Sequence, residues 1–457
     1  MGKTYLGYEP KQGFLLPPSP EEWLPSGHLA YFVQDVVGEL ELGEVHAHYE
    51  RERRGAPPHH PEMMVGLLLY AYCVGVPSSR KIERKTYEDV AFRVLAAGNH
   101  PDHTRLSEFR RIHSKALAKL FKQVLQLCIE AGLVKLGHVA LDGTKLKANA
   151  SKHKAMSYGR MKEKEAELEK KVAELLSAAE KADAEDDARL GRGNKDEELP
   201  AELRRAQTRL KKIRAAKAAL EMEAKAAAEQ EKEEAAKEKA GEPPDEGDGG
   251  GGGLPSHRVA HTKDGVPTDK AQRNFTDAES RIQKTNEGFI QGFNGQAAVD
   301  AQRQVIVAQA LTNQSPDVQH LVPMVDLIEE NCGALPEKMS ADNGYFSEQN
   351  VACLERAGID GYLAAGRDKH GDKPQPVRGR PPSNLTVKQR MARKLRTKAG
   401  HAVYARRKAI VEPVFGQVKG ARGLRQLLRR GIEAARDEWA LICTTHNLLK
   451  LYRFGAA

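Results

Sequence analysis

The stretch VALDGTKLKANAS, residues 139–151, combines an apolar run with a lone carboxylate and raises the first chemical question. A short apolar run, predicted to be a strand, ends at Asp142, beside a glycine, a threonine and two lysines. A buried carboxylate without a partner is costly, because an ion loses its hydration and gains nothing in return. Something else in the protein must therefore compensate the charge of Asp142.

Asp342 stands in a similar context, in KMSADNGYFS, residues 338–347. Each aspartate is predicted to end an apolar strand and to open a turn, at the edge where α/β sheets place their ligand sites. If the strands are neighbours, the two carboxylates converge and resist ionisation, which a divalent cation relieves. Oxygen ligands without cysteine or histidine favour Mg²⁺, with Mn²⁺ as the alternative. Taken alone, each aspartate is also typical of a simple turn.

Glu412, in IVEPVFGQVKG, residues 410–420, is the candidate for a third carboxylate. Pro413 disfavours helical geometry at the residue before it, so we expect a helix to start or kink here, with Glu412 in its first turn. Lys419, seven residues on, would share that face and hold a cation where a phosphate approaches. The alternative is a carboxylate that the helix dipole favours.

The elements around these acids predict a mixed α/β sheet. GFIQGFNGQAAVDAQRQVIVAQALTNQ (288–314) indicates two strands with a turn near Asp300. SPDVQHLVPMVDLIEENCG (315–333) indicates a helix with Ser315 as N-cap, and SEQNVACLERAG (347–358) a helix that ends at Gly358. IDGYLAA (359–365) completes the set as a short strand.

Residues 155–240 interrupt this sheet with a segment rich in Ala, Glu and Lys. Two heptad patterns predict two helices that fold back as an antiparallel coiled-coil hairpin at LGRGNKDEELP (190–200), followed by a flexible linker at 241–256. The nearly balanced charge favours a structural or protein-contact arm over a DNA clamp. The first pattern comprises Met161, Leu168, Val172, Leu175 and Ala179, and the second Leu203, Ala206, Leu210, Ile213 and Leu220, interrupted by Lys217.

Residues 15 to about 135 have apolar residues at helical spacing and predict an all-helical region. NHPDHTRLSEFRR (99–111) is similar to a helix-turn-helix, in which Asp102 or Thr104 caps the second helix. Arg105, Arg110 and Arg111 on that helix could meet a DNA groove, although many helical bundles show the same local pattern. The neighbouring histidines lack cysteine or carboxylate partners at zinc spacing, so we do not expect a metal site there.

The basic C-terminal part of the chain indicates a negatively charged binding partner. From Tyr362 onward there are 22 Lys and Arg against 6 Asp and Glu, whereas the whole chain has a formal net charge of +9. Such a density suits a phosphate backbone, and the alternative is a solvated helical face. The five scattered cysteines and the lack of a signal peptide or membrane span predict a cytoplasmic protein.

Together these pieces resemble the DDE insertion-sequence transposases of bacteria. The matching stretches are LDGTKLKANAS (141–151), FIQGFNGQAAVD (289–300), VIVAQALTN (305–313), MSADNGYFS (339–347) and IVEPVFGQVKG (410–420). The resemblance implies a ribonuclease-H-like catalytic domain at 136–154 and 257–457, interrupted by the hairpin, after a helical DNA-binding domain at 1–135. It also implies that Asp142, Asp342 and Glu412 are the catalytic, metal-binding residues.

The family pattern of groups related to insertion sequences four and five adds Tyr, Arg and Lys around the glutamate. Glu412 and Lys419 keep the family spacing, but Tyr404 and Arg407 lie one position too early. The resemblance implies two metal ions that activate water and then a 3′-hydroxyl, so that a transposon end is cut and joined to target DNA. The residues expected to contact DNA are Lys419, Tyr404, Arg406, Arg407, Lys145, Lys147, Arg105, Arg110 and Arg111.

The predicted function is therefore a transposase that binds double-stranded DNA, acts as a homodimer or higher homo-oligomer and is associated with the nucleoid. Two alternatives remain open from the sequence. One is a metal-dependent nuclease that cuts without joining, and the other is a non-catalytic architectural protein. A non-catalytic architectural protein would have no use for three acidic residues beside DNA.

Overall fold

The computed structural model describes residues 19–50, 57–190, 201–240, 254–366 and 377–455, without the side chains of 21, 179, 180, 182–190 and 237–240. The helices are α1 (Leu29–Glu39), α2 (Gly43–Glu50), α3 (Pro61–Cys73), α4 (Ser79–Glu88), α5 (Val90–Leu95), α6 (His103–Ile112), α7 (Ser114–Glu130), α8 (Tyr158–Leu190), α9 (Ala201–Ala240), α10 (Leu321–Cys332), α11 (Glu348–Arg356), α12 (Val387–Arg396), α13 (Lys398–Gly416) and α14 (Ile432–Gly455). The strands are β1 (Val139–Lys147), β2 (Ala155–Ser157), β3 (Gln272–Asn274), β4 (Arg281–Thr285), β5 (Gly288–Asp300), β6 (Ile306–Thr312), β7 (Lys338–Ala341) and β8 (Asp360–Leu363).

A mixed six-stranded sheet organises the larger of two compact units, which comprises Val134–Phe415 and Arg425–Trp439. In this sheet β5 pairs antiparallel with β1, β4 and β6, whereas β1, β7 and β8 run parallel. Parallel neighbours need crossover connections, which α10 and α11 provide. The predicted mixed α/β sheet is therefore present, and β4 is a strand that sequence reasoning missed.

The inserted segment forms two helices, α8 and α9, that pack along an apolar seam. The buried seam contains five of the ten predicted heptad residues, and a sixth, Val172, is packed against it. The buried seam residues are Met161, Leu168, Ala206, Leu210, Ile213 and Ala216. Ion pairs join Glu165 to Arg214 and Lys171 to Glu202, so the two helices run in opposite directions. Lys217, which interrupts the heptad, pairs with Glu165 at 2.7 Å. The predicted hairpin turn and most of the linker lie outside the described residues.

The second compact unit is helical and comprises the chain up to Leu133, Gly416–Leu424 and the residues from Ala440 onward. Within the region predicted to be helical, the apolar stretches 61–76, 89–98 and 116–132 form α3, α5 and α7. Asp102 caps α6, because its side chain accepts hydrogen bonds from the backbone N–H groups of Thr104 and Arg105. Among the described residues, no helix has the length and apolar character needed to cross a membrane.

Two predictions of helix boundaries are wrong. Ser315 is not an N-cap, because α10 begins at Leu321 after a short 3₁₀ turn at Val318–His320. Glu412 does not lie in a first turn, because α13 runs through Pro413 to Gly416. Pro413 removes the N–H that the carbonyl of Ala409 would accept, and the side chain of Gln304 donates to that carbonyl instead, at 3.0 Å.

Candidate active site

The strand pairing of β1 and β7 places Asp142 and Asp342 side by side. The parallel register ends at the pair Leu141 and Ala341, and the two aspartates are the next residue on each strand. Adjacent parallel strands lie about 4.8 Å apart, and residues in register point to the same face of a sheet. The sheet therefore brings these two predicted site residues together. Asp342 follows β7, as expected, but Asp142 lies inside β1, which continues to Lys147 instead of turning.

Arg407 answers the question of how the protein compensates Asp142. Its Nη1 donates to Asp142 Oδ2 at 2.9 Å, and the two side chains are only 10% and 20% exposed. The N–H of Gly143 donates to Asp142 Oδ1 at 2.8 Å. Nevertheless the pKa of Asp142 is raised to about 6, because the loss of hydration on burial outweighs the attraction of the Arg407 charge. The negative charge of Asp342 raises this pKa further. The site thus holds a carboxylate that a further cation would stabilise.

A second buried carboxylate, Asp317, lies on the opposite face of β1. Its Oδ1 accepts hydrogen bonds from Asn294 Nδ2 at 2.7 Å and Gln296 Nε2 at 2.8 Å, and lies 4.0 Å from Lys145 Nζ. Burial alone would raise the pKa of Asp317, but the nearby His320 ring, Lys145 and the two amides together lower it. Asp317 is therefore held as an anion by the fold itself.

Gly143 explains how this network can approach the strand. A Cβ at this position would lie 2.6 Å from Gln296 Nε2 and 3.0 Å from both Asn294 Oδ1 and Asp317 Oδ1. No side chain fits there without displacing buried, hydrogen-bonded groups. The glycine after Asp142 is thus required by close packing in a strand, not by a turn.

Tyr345 links the two faces. Its hydroxyl donates to Gln296 Oε1, and the ring is fully buried. Burial and the charges of Asp317, Asp142 and Asp342 raise its pKa well above the ordinary value. The phenol therefore remains a neutral hydrogen-bond donor between the carboxylates.

The other predicted DNA contacts in this unit differ in their surroundings. The ring of Tyr404 lies 5.8 Å from the Arg407 guanidinium, while Arg406 is exposed. Lys145 donates to the carbonyl of Ser315 at 3.0 Å and is half-buried, which lowers its pKa. Lys147 is exposed at the end of β1. Arg407 and Lys145 thus already have protein partners, whereas Arg406 and Lys147 face solvent.

Glu412 does not join the two aspartates in this arrangement. It is exposed, and it lies five residues after Arg407 on α13, which corresponds to about 140° around a helix. Within the described part of the chain, no group of three or more His, Cys, Asp or Glu side chains is placed to hold a metal ion. Lys419 belongs to the helical unit, where it lies in the π-helical turn Gln417–Ala421.

The three predicted arginines of α6 have different environments. Arg110 is buried and donates to Tyr72 Oη, the carbonyl of Pro77 and Ser79 Oγ, at 2.9–3.0 Å. Its guanidinium is therefore occupied by the fold and is not available to a DNA groove, contrary to our expectation. Arg105 and Arg111 are exposed, and both lie near Glu108, at 3.4 and 4.0 Å.

Sequence reasoning missed Asp317 and the amides that bind it. A signal was present, because Asn294 and Gln296 stand two residues apart in the apolar stretch of β5 and so share one face. Asp317 carries no comparable signal, since it follows Ser-Pro, a pattern that indicates the start of a helix. Its role depends on a contact between residues 23 positions apart in sequence.

The donor chemistry of the site fits a divalent cation in part. Asp142 and Asp342 supply adjacent hard oxygen ligands, and the raised pKa of Asp142 indicates that its local positive charge is insufficient. Two carboxylates with room for phosphate oxygens are a common protein contribution to a magnesium site. The arrangement can therefore hold a cation beside a phosphodiester when the Asp142 carboxylate binds that cation in addition to Arg407.

Comparisons with known proteins agree with this chemistry. Residues 18–111 match the family model described as "Transposase domain (DUF772)", and residues 257–448 match the model described as "Transposase DDE domain". Searches of curated proteins and of solved structures found no match. The class defined by the site and the second match is an enzyme that cleaves DNA and transfers strands. The chain is a DDE-type transposase of the insertion-sequence kind, similar to the groups of insertion sequences four and five.

Proposed function

We propose that Asp142 and Asp342 are the two catalytic aspartates of this transposase and that they bind Mg²⁺, or Mn²⁺, in a ribonuclease-H-like domain. The observation that carries the proposal is their position directly after the last paired residues of β1 and β7. Strand β5 between antiparallel partners, next to parallel β1, β7 and β8, is the order expected for that fold. A bound divalent ion would supply Lewis-acid stabilisation of the phosphoryl oxygens.

The side chains around the aspartates would orient the DNA strand. Arg407 is placed to move from Asp142 to a phosphate oxygen when another cation takes over the carboxylate. Tyr404, stacked near Arg407, and the exposed Arg406 would contact the same strand. Lys145, Lys147 and Lys419 are proposed as further phosphate contacts.

Glu412 is proposed as the third acid, which requires α13 to rearrange on binding DNA or metal. Pro413 weakens the helix at this point, because it removes one backbone hydrogen bond, and the helix changes to a π-helical turn after Gly416. Rotation by about 140° around the helix axis would bring Glu412 to the face that Arg407 now occupies. With Glu412 in place, the site would hold two ions.

The remaining parts of the chain follow from this assignment. We propose residues 1–135 as a helical DNA-binding domain with Arg105 and Arg111 as contacts, and residues 136–154 with 257–457 as the catalytic domain. Residues 155–240 would form a coiled-coil hairpin followed by a linker at 241–256. The substrates would be transposon ends and target DNA, bound by a homodimer or higher oligomer at the bacterial nucleoid.

The test is strand transfer with pre-cut DNA ends that carry a free 3′-hydroxyl. We expect the wild-type protein to join them to target DNA in Mg²⁺, and Asp142→Asn, Asp342→Asn and Glu412→Gln each to lose about 10³-fold or more in rate while DNA binding persists. Asp264→Asn, at an exposed turn, is the matched control. Retained activity in one variant would remove that residue from the site, and shortened but unjoined products would indicate a nuclease.

A further inference from the structure

A basic groove runs along the inserted hairpin, between α9 and the small sheet of β2 and β3. The groove has a volume of about 1230 Å³, and its described lining contains no aspartate or glutamate. Part of its wall is apolar, with Met156 and the exposed ring of Phe275. The cationic side chains that line it are Lys154, Arg204, Arg205, Arg209, Lys212 and Arg273.

Three of these cations form one stripe on α9. Arg205, Arg209 and Lys212 follow the spacing i, i+4, i+7, which places them on the same face, and all three are exposed. At 1.5 Å per residue the stripe is about 10 Å long. Successive phosphates of one DNA strand advance about 3.4 Å along the duplex axis, so the stripe matches about three of them.

Other cations of the hairpin serve the fold. Lys171, Arg214 and Lys217 form ion pairs between α8 and α9, with Glu202 and Glu165 as their partners. Glu165 and Glu202 are thus engaged along the seam, whereas the charged side chains that line the groove are all cationic, with Arg273 among them paired to Glu223. The net charge of the segment does not show that cationic and acidic side chains lie on different faces of the hairpin. For this reason the balanced composition suggested no DNA contact.

We propose that this groove binds the sugar-phosphate backbone of DNA, as a surface additional to the active site and to the helical domain. The proposal rests on the proposed function in one respect only, namely that DNA is the substrate. A groove whose charged lining is cationic favours a polyanion, since a basic or neutral partner would leave the charges of the stripe without compensation. Binding there is independent of sequence, because backbone contacts carry no base information.

The experiment compares two triple variants of the full-length protein. R205Q/R209Q/K212Q removes the stripe, and K211Q/K225Q/K232Q removes three exposed lysines of α9 that do not line the groove. Both lose the same charge, and glutamine preserves helix propensity. Affinity for a duplex of arbitrary sequence is measured against salt concentration without divalent metal, and circular dichroism verifies that both variants fold.

We expect the stripe variant to reduce the slope of log K against log salt by about 2.7, since each phosphate contact contributes about 0.9. Affinity at about 100 mM salt should fall tenfold or more relative to the control triple. Equal slopes in the two triples would overturn the proposal. Because the assay needs no catalysis, inactive Asp142 or Asp342 variants that keep the wild-type slope would concern the proposed active site and not the groove.

Discussion

The two faces of β1 carry buried carboxylates with opposite electrostatics. On one face Asp142 forms an ion pair with Arg407 and has a pKa raised to about 6. On the other face Asp317 accepts hydrogen bonds from Asn294 and Gln296, lies near Lys145, and has a lowered pKa. Both acids are buried to a similar degree, so the difference comes from their partners and not from burial.

This difference distinguishes Asp142, the candidate site residue, from Asp317, which supports the strand. Environments that move two pKa values apart assign different roles to chemically identical groups. Asp317 is stabilised within the fold and needs no further ligand, whereas Asp142 would gain stability from an added cation. We therefore interpret Asp317 as a positioning residue that fixes the backbone under Asp142, and Asp142 as the group that contacts the reacting centre.

Removing the supporting anion should have the largest effect. Asp317→Ala removes the acceptor of the buried Gln296 amide, one acceptor of the Asn294 amide and the carboxylate beside Lys145, although Asn294 keeps the carbonyl of Gln314 and Lys145 keeps that of Ser315. This loss should lower the free energy of unfolding by about 3–5 kcal/mol. Urea denaturation measures this loss. Asp317→Asn keeps one acceptor oxygen and should cost less than Asp317→Ala. An alanine variant as stable as the wild-type protein would show that the network is not a support.

Adding a side chain at Gly143, where β1 lies against the buried amides, should have an intermediate effect on stability. Gly143→Ala places a methyl group against Gln296 and Asp317, so we expect a loss of about 1–3 kcal/mol in unfolding free energy. We also expect strand transfer to fall, because the backbone that carries Asp142 must shift. Gly137→Ala, where a Cβ meets nothing within 4 Å, is the matched control. Unchanged stability and activity in Gly143→Ala would contradict the close packing.

Changing the partner of Asp142 should have the smallest effect on stability and the clearest effect on pH dependence. Ionisation of Asp142 is disfavoured in the folded protein, so its stabilising contribution is full below about pH 4 and is lost as the pH rises to about 6. The loss in the metal-free protein should amount to about 3 kcal/mol. Because Arg407 lowers this pKa, Arg407→Gln should extend the loss to higher pH and make it larger, while its onset stays near pH 4, and it should reduce strand transfer about tenfold.

The matched control for that experiment is Arg406→Gln, since Arg406 is the exposed neighbour of Arg407 on the same helix. Unfolding free energies of the metal-free proteins between pH 4 and 8 give the comparison. Arg406→Gln should retain the wild-type profile. If Arg407→Gln retained it as well, the ion pair seen between Arg407 and Asp142 would have no energetic role.

Local pattern was sufficient for most of the fold. Alternating apolar residues gave β5, β6 and β8, and helical spacing gave α3, α5, α7 and the two inserted helices, because these patterns reflect which face each element buries. Local rules were misleading at Pro413, where a side chain from a distant turn, Gln304, replaces the missing donor and lets the helix continue. They were also misleading at Arg110, whose charge is satisfied inside the helical unit.

The amino-acid sequence alone indicates the family, the mixed sheet and the two aspartates as candidate site residues, because contiguous motifs of a few residues carry each of them. That the two aspartates are adjacent follows from the pairing of β1 with β7. Only the tertiary structure decided that Arg407 compensates Asp142, that Asp317 supports the opposite face, and that the cations of α9 line one groove. Those facts depend on distances between residues far apart in the chain. Electrostatic energy depends on such distances and on burial, and neither is encoded in local spacing.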